Sequence, residues 1–217
     1  MKKLVFFLFA TLALTACEKD ADTDKLDNEY LVFTSHDAAT KFNSFTTYYL
    51  PDSILLIGNS KKPEYLKDDN AKLLVSAFIA EMDGRGYLRT TDKSQADLGV
   101  MMSYVTNTYY VDDYYGNGPW WGNYPGYWYP GYWGGNWGGG WYYPFPVTYS
   151  FNTGSLLTDL VNLKDAPAEG EKSQLTIVWN ACISGLVGGG GLNVNRATHA
   201  IEQAFQQSPY LKKQNLH

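Results

Sequence analysis

Cysteine is nearly absent from this chain. Only Cys17 and Cys182 occur among 217 residues. If Cys17 is used otherwise, no intrachain disulfide can form, and the fold must hold by its core alone. Histidine is equally scarce, at His36, His199 and His217. None of these has an i, i+4 partner or a Cys/Glu cluster, which excludes the usual metal-site patterns. Basic charge is also short: 17 Lys+Arg stand against 22 Asp+Glu, for a net charge of −5. Without a Lys/Arg stripe, a nucleic-acid partner is excluded, because phosphate neutralisation dominates such binding. No Gly-x-Ser-x-Gly nucleophile turn occurs. Gly188–Gly191 precedes a helix-like segment but lacks the Gly-Lys-Ser/Thr ending of a phosphate loop. No cofactor and no enzyme are implied. Cys182 lies in an apolar strand-like run and reads as an inert buried thiol.

Long hydrophobic runs are missing too, except at the start. Lys2-Lys3 is followed by an apolar stretch from Leu4 to Leu14, too short to span a bilayer as a mature helix. Leu14-Thr15-Ala16-Cys17 then matches a lipobox, in which a signal peptidase cuts before a lipidated cysteine. Residues 1–16 therefore read as a lipoprotein signal peptide and Cys17 as the lipidation site. The membrane would be a partner through that group, since a multiply acylated cysteine is a stable anchor. Residues 17–28 are polar and free of aromatics, which suits a flexible tether. A lipid-anchored outer-membrane position follows, on the periplasmic or surface face.

The middle of the chain lacks aliphatic residues altogether. Residues 112–146 read DDYYGNGPWWGNYPGYWYPGYWGGNWGGGWYYPFP and hold every Trp except Trp179. Without Leu, Ile or Val this stretch cannot fill a core in the ordinary way. Its Gly and Pro argue against a helix or a central strand. It reads as an insertion extending away from the folded domain, with Trp120, Trp121, Tyr127, Trp128, Tyr132, Trp133, Trp137 and Trp141 as candidate contacts. Aromatic faces stack on sugars or on partner side chains at little rotamer cost. They also favour the headgroup level of a membrane. A low-complexity spacer collapsing on its own aromatics is a third reading.

Around this insertion the elements alternate in type. Residues 30–35, 46–50 and 53–57 read as strands, the last as an edge strand. Leu73, Leu74, Ala77, Phe78, Ala80 and Met82 recur at helical spacing, predicting a helix over 70–83 capped by Asp69 or Asn70. Leu98 to Val111 is the strongest strand, with Val100, Met102 and Tyr104 on one face. Residues 147–151 and 154–161 read as extended, 162–174 as a loop, and 175–183 as the partner strand of an antiparallel hairpin. Asn193 or Asn195 caps a second helix, bearing Ala197, Ile201, Ala204 and Phe205 on one face and ending at Ser208-Pro209. The expected fold is α+β: a two-layer sandwich of a mainly antiparallel sheet with both helices on one face. One domain would span residues 29–209, with a polar tail at 210–217.

Several residues then carry a resemblance. Asp37, Phe45, Tyr48, Pro51 and Asp52 are followed by Gly86-Tyr87 and Ala96-Asp97-Leu98. After the insertion come Gly154-Ser155-Leu156 with Asp159-Leu160, then Val178-Trp179 and Ser208-Pro209. In that order they resemble the bacterial envelope lipoproteins of the domain of unknown function 4136. The resemblance implies a lipid-anchored envelope domain with no catalytic residues to carry over, and a structural role for these motif residues. The function expected is a non-enzymatic scaffold or interaction module that contacts a glycan, peptidoglycan or protein partner through the aromatic loop. The alternative is a carbohydrate-binding or carbohydrate-processing accessory protein.

Overall fold

The computed structural model describes residues 30–58, 60, 62–106, 141–147, 154–165, 174–188 and 191–213. In chain order the elements are β1 (Leu31–His36), β2 (Thr47–Tyr49), β3 (Ile54–Ile57), β4 (Glu64–Leu66), α1 (Asp69–Gly84), β5 (Leu88–Arg89) and β6 (Leu98–Val105). They continue with β7 (Trp141–Tyr142), β8 (Ser155–Asn162), β9 (Leu175–Ser184), β10 (Val187–Gly188), β11 (Gly191–Leu192) and α2 (Val194–Gln206). The fold is α+β, built on an open mixed sheet in the order β1-β9-β8-β6-β2-β5.

Both helices form where local chemistry demands. In α1 the buried positions Ala71, Leu74, Val75, Phe78 and Met82 make one stripe. The cap is Asp68, one residue before the expected position; its carboxylate accepts the Ala71 N–H at 3.0 Å. Asn193 caps α2 in the same way, accepting from the Arg196 N–H at 3.1 Å. The buried stripe of α2 is Ala197, Ala200, Ile201, Ala204 and Phe205. Both stripes pack on one sheet face, among Val100, Met102, Tyr104, Leu156, Leu160, Trp179 and Ile183. Phe78, Trp179 and Phe205 meet there with centroids 5.0–6.4 Å apart. The Trp179 indole, wholly buried, donates to Ser208 Oγ at 2.8 Å. Leu211 is also fully buried in this core, so the fold runs past Ser208-Pro209 into the expected tail.

The sheet is held by three long antiparallel ladders, β1–β9, β9–β8 and β8–β6. On its other side β6 takes two short parallel partners end to end. Tyr48 of β2 pairs with Leu98, while Leu55 to Ile57 of β3 pair with Ser103 to Val105. Pro51-Asp52 makes this possible. Proline has no N–H to continue a ladder, so the chain steps out between β2 and β3 and rejoins the same edge. Arg89 fastens the step, donating to Leu50 O and Asp52 Oδ1, each at 2.6 Å. Strand β4 was not expected in the polar segment at 61–68. It is a short, largely exposed edge strand with no hydrophobic alternation.

The ladders also fix which segments share an end of the sheet. Leu31 pairs with Ser184, Leu156 with Ile183, and Val105 with both Ser155 and Ile57. The chain enters β1, leaves β6 at Thr106 and turns into the β10–β11 hairpin at this one end. His36 pairs with Trp179, Leu98 with Asn162 and Trp141 with Leu175 at the other end.

The second sheet face has an apolar cluster of its own. Leu55, Ile57, Met101, Val105, Leu157, Val161, Leu175, Ile177 and Cys182 form an apolar cluster opposite the helices. Trp141, Tyr143, Phe145 and Val147 pack against it. The C-terminal end of the insertion therefore returns to the sheet, through β7 paired parallel to β9, rather than extending away from it. Val147 carries no strand, and the rest of the expected strand at 147–151 lies outside the described residues.

Candidate functional site

The root of the insertion, Trp141 to Val147, is a strap with a two-residue alternation. Trp141, Tyr143, Phe145 and Val147 are half-buried, while Tyr142, Pro144 and Pro146 are exposed. The inward rings meet edge to face: Trp141–Tyr143 centroids lie 5.5 Å apart at 84°, and Tyr143–Phe145 centroids 5.6 Å apart at 76°. Proline at 144 and 146 has no N–H to continue a ladder, so strand pairing stops at Tyr142.

Beneath the strap lies a polar row set into the apolar face. Asp159, in the middle of β8, is 1% exposed. It pairs with Met101 on one side and Asn180 on the other, so all three side chains share this face. Asn180 Nδ2 donates to Asp159 Oδ1 at 2.6 Å, and the Tyr143 hydroxyl donates to Asp159 Oδ2 at 2.9 Å. A buried carboxylate is costly unless hydrogen-bonded, and one of its donors comes from the strap. Ser103, wholly buried and one diagonal step away, has an Oγ with no hydrogen-bond partner among the described residues, and Asn180 Oδ1 is in the same position.

Of the sequence-expected contacts, Trp141 alone is described, and it is a half-buried member of the strap. Cys17, Trp120, Trp121, Tyr127, Trp128, Tyr132, Trp133 and Trp137 lie outside the described residues. His36 stacks on Tyr210 with centroids 3.7 Å apart, and His199 lies 3.3 Å from Glu202 on the exposed face of α2. Cys182 is buried in the second apolar cluster. Among the described residues no group of three or more His, Cys, Asp or Glu could hold a metal ion. Tyr143, Asn180 and Ser103 escaped sequence reasoning. The available signal was the odd-even alternation of Trp141 to Val147 and the polar residues inside otherwise apolar strands.

The model of the domain of unknown function DUF4136 matches residues 32–210. The chain belongs to the DUF4136 family. A crystal structure of a DUF4136 family protein from Bacteroides thetaiotaomicron VPI-5482 is similar to it, at 46% identity and a TM-score of 0.76, over 85% of this chain and 98% of that one. A PelC dodecamer from Paraburkholderia phytofirmans matches at 12% identity and a TM-score of 0.39, over 86% of this chain and 100% of that one. A likeness that low carries no argument. No curated protein matches.

Within this DUF4136 domain the residues of the resemblance have structural partners. Asp37 closes a turn by accepting the Ala39 N–H at 2.9 Å and the Thr40 hydroxyl at 2.8 Å. Asp97 Oδ2 accepts the Thr46 N–H at 2.6 Å, tying the start of β2 to the start of β6. The Tyr48 hydroxyl donates to Asp83 at 2.9 Å, and the Tyr87 hydroxyl to Phe42 O at 3.1 Å. Burial pushes both phenols above their ordinary range, and for Tyr48 the Asp83 carboxylate adds to that shift. Gly154, at φ +87°, touches the β10–β11 hairpin so closely that a Cβ there would overlap Val187.

Proposed function

We propose that this chain is a lipid-anchored cell-envelope protein without catalytic activity, attached through Cys17 to the outer membrane. Its DUF4136 domain holds the aromatic insertion as a contact surface for a glycan, peptidoglycan or protein partner. One observation carries this reading. The N-terminal tether enters β1 and the insertion leaves β6 at the same end of the sheet, where Leu31 pairs with Ser184 and Val105 with Ser155. An anchor at Cys17 would therefore keep the start of the aromatic segment near the envelope surface. The strap at its other end gives the insertion a rigid base, which reduces the ordering cost of binding. The lipobox pattern Leu14-Thr15-Ala16-Cys17 supports the envelope setting.

The test removes residues 112–140 and keeps Trp141 to Val147, because a longer deletion would uncover the second apolar cluster. The shortened protein is expected to fold, to fractionate with membranes, and to lose retention on peptidoglycan or glycan resins. Full retention of every interaction would sink the contact-surface reading. Separately, Cys17→Ser is expected to abolish acyl labelling and release the protein from membranes.

A further inference from the structure

We infer that the end of the sheet bearing Leu31 and Val187 rests on the phospholipid surface into which the Cys17 acyl chains insert. This rests on the acylation proposed above. The chain from Cys17 to residue 29 lies outside the described residues and joins the domain at this end, at Tyr30. Even fully extended, a chain of that length reaches at most roughly 45 Å, so the end it joins is held at high effective concentration beside the bilayer.

The surface there suits lipid. Leu31 is 52% exposed and Val187 44%, both on the tether side of the fold. Leu88 and Tyr142 are exposed at the opposite end, and Leu73 stands on α1. The hairpin beside Leu31 pairs Val187 with Leu192 and Gly188 with Gly191. From Ser184 to Asn193 no residue is charged, so no ion of the hairpin has to be dehydrated as it meets headgroups. Arg196, at the base of the hairpin, donates to Gly185 O at 2.9 Å and so ties the start of α2 to the turn that enters the hairpin. The hairpin is braced: Leu186 N donates to Gly154 O at 3.1 Å and Asn193 N to Leu186 O at 2.8 Å. Its apolar side chains are therefore presented by a fixed base, as interfacial binding requires.

The experiment uses full-length acylated protein in vesicles of phosphatidylethanolamine and phosphatidylglycerol. A single exposed cysteine is placed by Val187→Cys, or at the opposite end by Leu88→Cys, and labelled with an environment-sensitive fluorophore; Cys182 is buried. The expected result is a blue shift at position 187 on vesicle binding, quenched by nitroxide-labelled lipid, with no change at position 88. If the protein floats with the vesicles and both probes stay unshifted, the docking inference is overturned while the anchor stands. If the acylated protein does not float, the anchor reading fails and the inference falls with it. A shift at 187 that tracks protein concentration or added peptidoglycan without vesicles assigns this end to a second copy or to a glycan, and also overturns the inference.

Discussion

Replacing Tyr143 by Phe isolates the bond between the strap and the carboxylate buried in the sheet. The ring stays, so the edge-to-face contacts with Trp141 and Phe145 at 5.5 and 5.6 Å are kept. What is lost is the hydroxyl that donates to Asp159 Oδ2 at 2.9 Å. Asp159 is 1% exposed, so water cannot readily take its place. The Asn180 bond at 2.6 Å remains, so the carboxylate is weakened in its support rather than stranded. Hydrogen bonds to charged groups contribute about 1.5–3 kcal/mol, and that is the expected loss. With a urea slope of roughly 2 kcal/mol per M, the midpoint would fall by about 1 M. Asp159→Asn removes the charge that gives the bond its strength. The double variant should therefore lose less than the sum of the two single variants. The assay is urea unfolding followed by tryptophan fluorescence, with Trp179 as a wholly buried reporter. A Tyr143→Phe loss below about 0.5 kcal/mol, additive with Asp159→Asn, would refute the claim that the buried carboxylate holds the strap.

Two further predictions test the rest of the frame. Gly154→Ala should destabilise by about 2–4 kcal/mol, since it forces a left-handed backbone onto alanine and drives a methyl into Val187. Thermal melting reads this, and an unchanged Tm would contradict the close approach. Alkaline pH should also weaken the fold. Burial holds the Tyr48 and Tyr87 protons on well above the ordinary phenol range in the native state, while unfolded tyrosine ionises at about pH 10. The folded chain then binds more protons than the unfolded one, so stability present below that pH is lost as pH rises past it. Urea midpoints from pH 8 to 11 measure this. Tyr48→Phe should flatten the decline, and an equal decline in that variant would assign it to other groups.

Much of the fold was legible because its signals are local. The stripe Leu74, Phe78, Met82 and the caps at Asp68 and Asn193 act within a few residues. A periodicity reading therefore finds both helices to within a residue at the cap. The β8–β9 hairpin was legible for the same reason. The parallel attachment of β2 and β3 to one edge of β6 was not, because pairing partners distant in sequence leave no local mark. The strap was read as part of a uniform aromatic appendage. A segment without aliphatics can still cover a core, because Trp141, Tyr143 and Phe145 supply a cover made of rings. Half of the candidate site, Asp159, stood in the sequence as a hairpin residue, but its donor Tyr143 lies across the insertion boundary.

The sequence by itself determined the two helices with their buried faces, the long strands of the sheet and the family, because each depends on neighbouring residues or on motif order. Only the tertiary structure decided that the sheet is covered on both faces and that tether and insertion leave from one end. It also decided that a tyrosine from the strap meets a carboxylate buried in β8. Those outcomes follow from strand register. A one-residue slip would turn Asp159 to the helix side and part it from Tyr143, and register is set by the packing of the whole sheet.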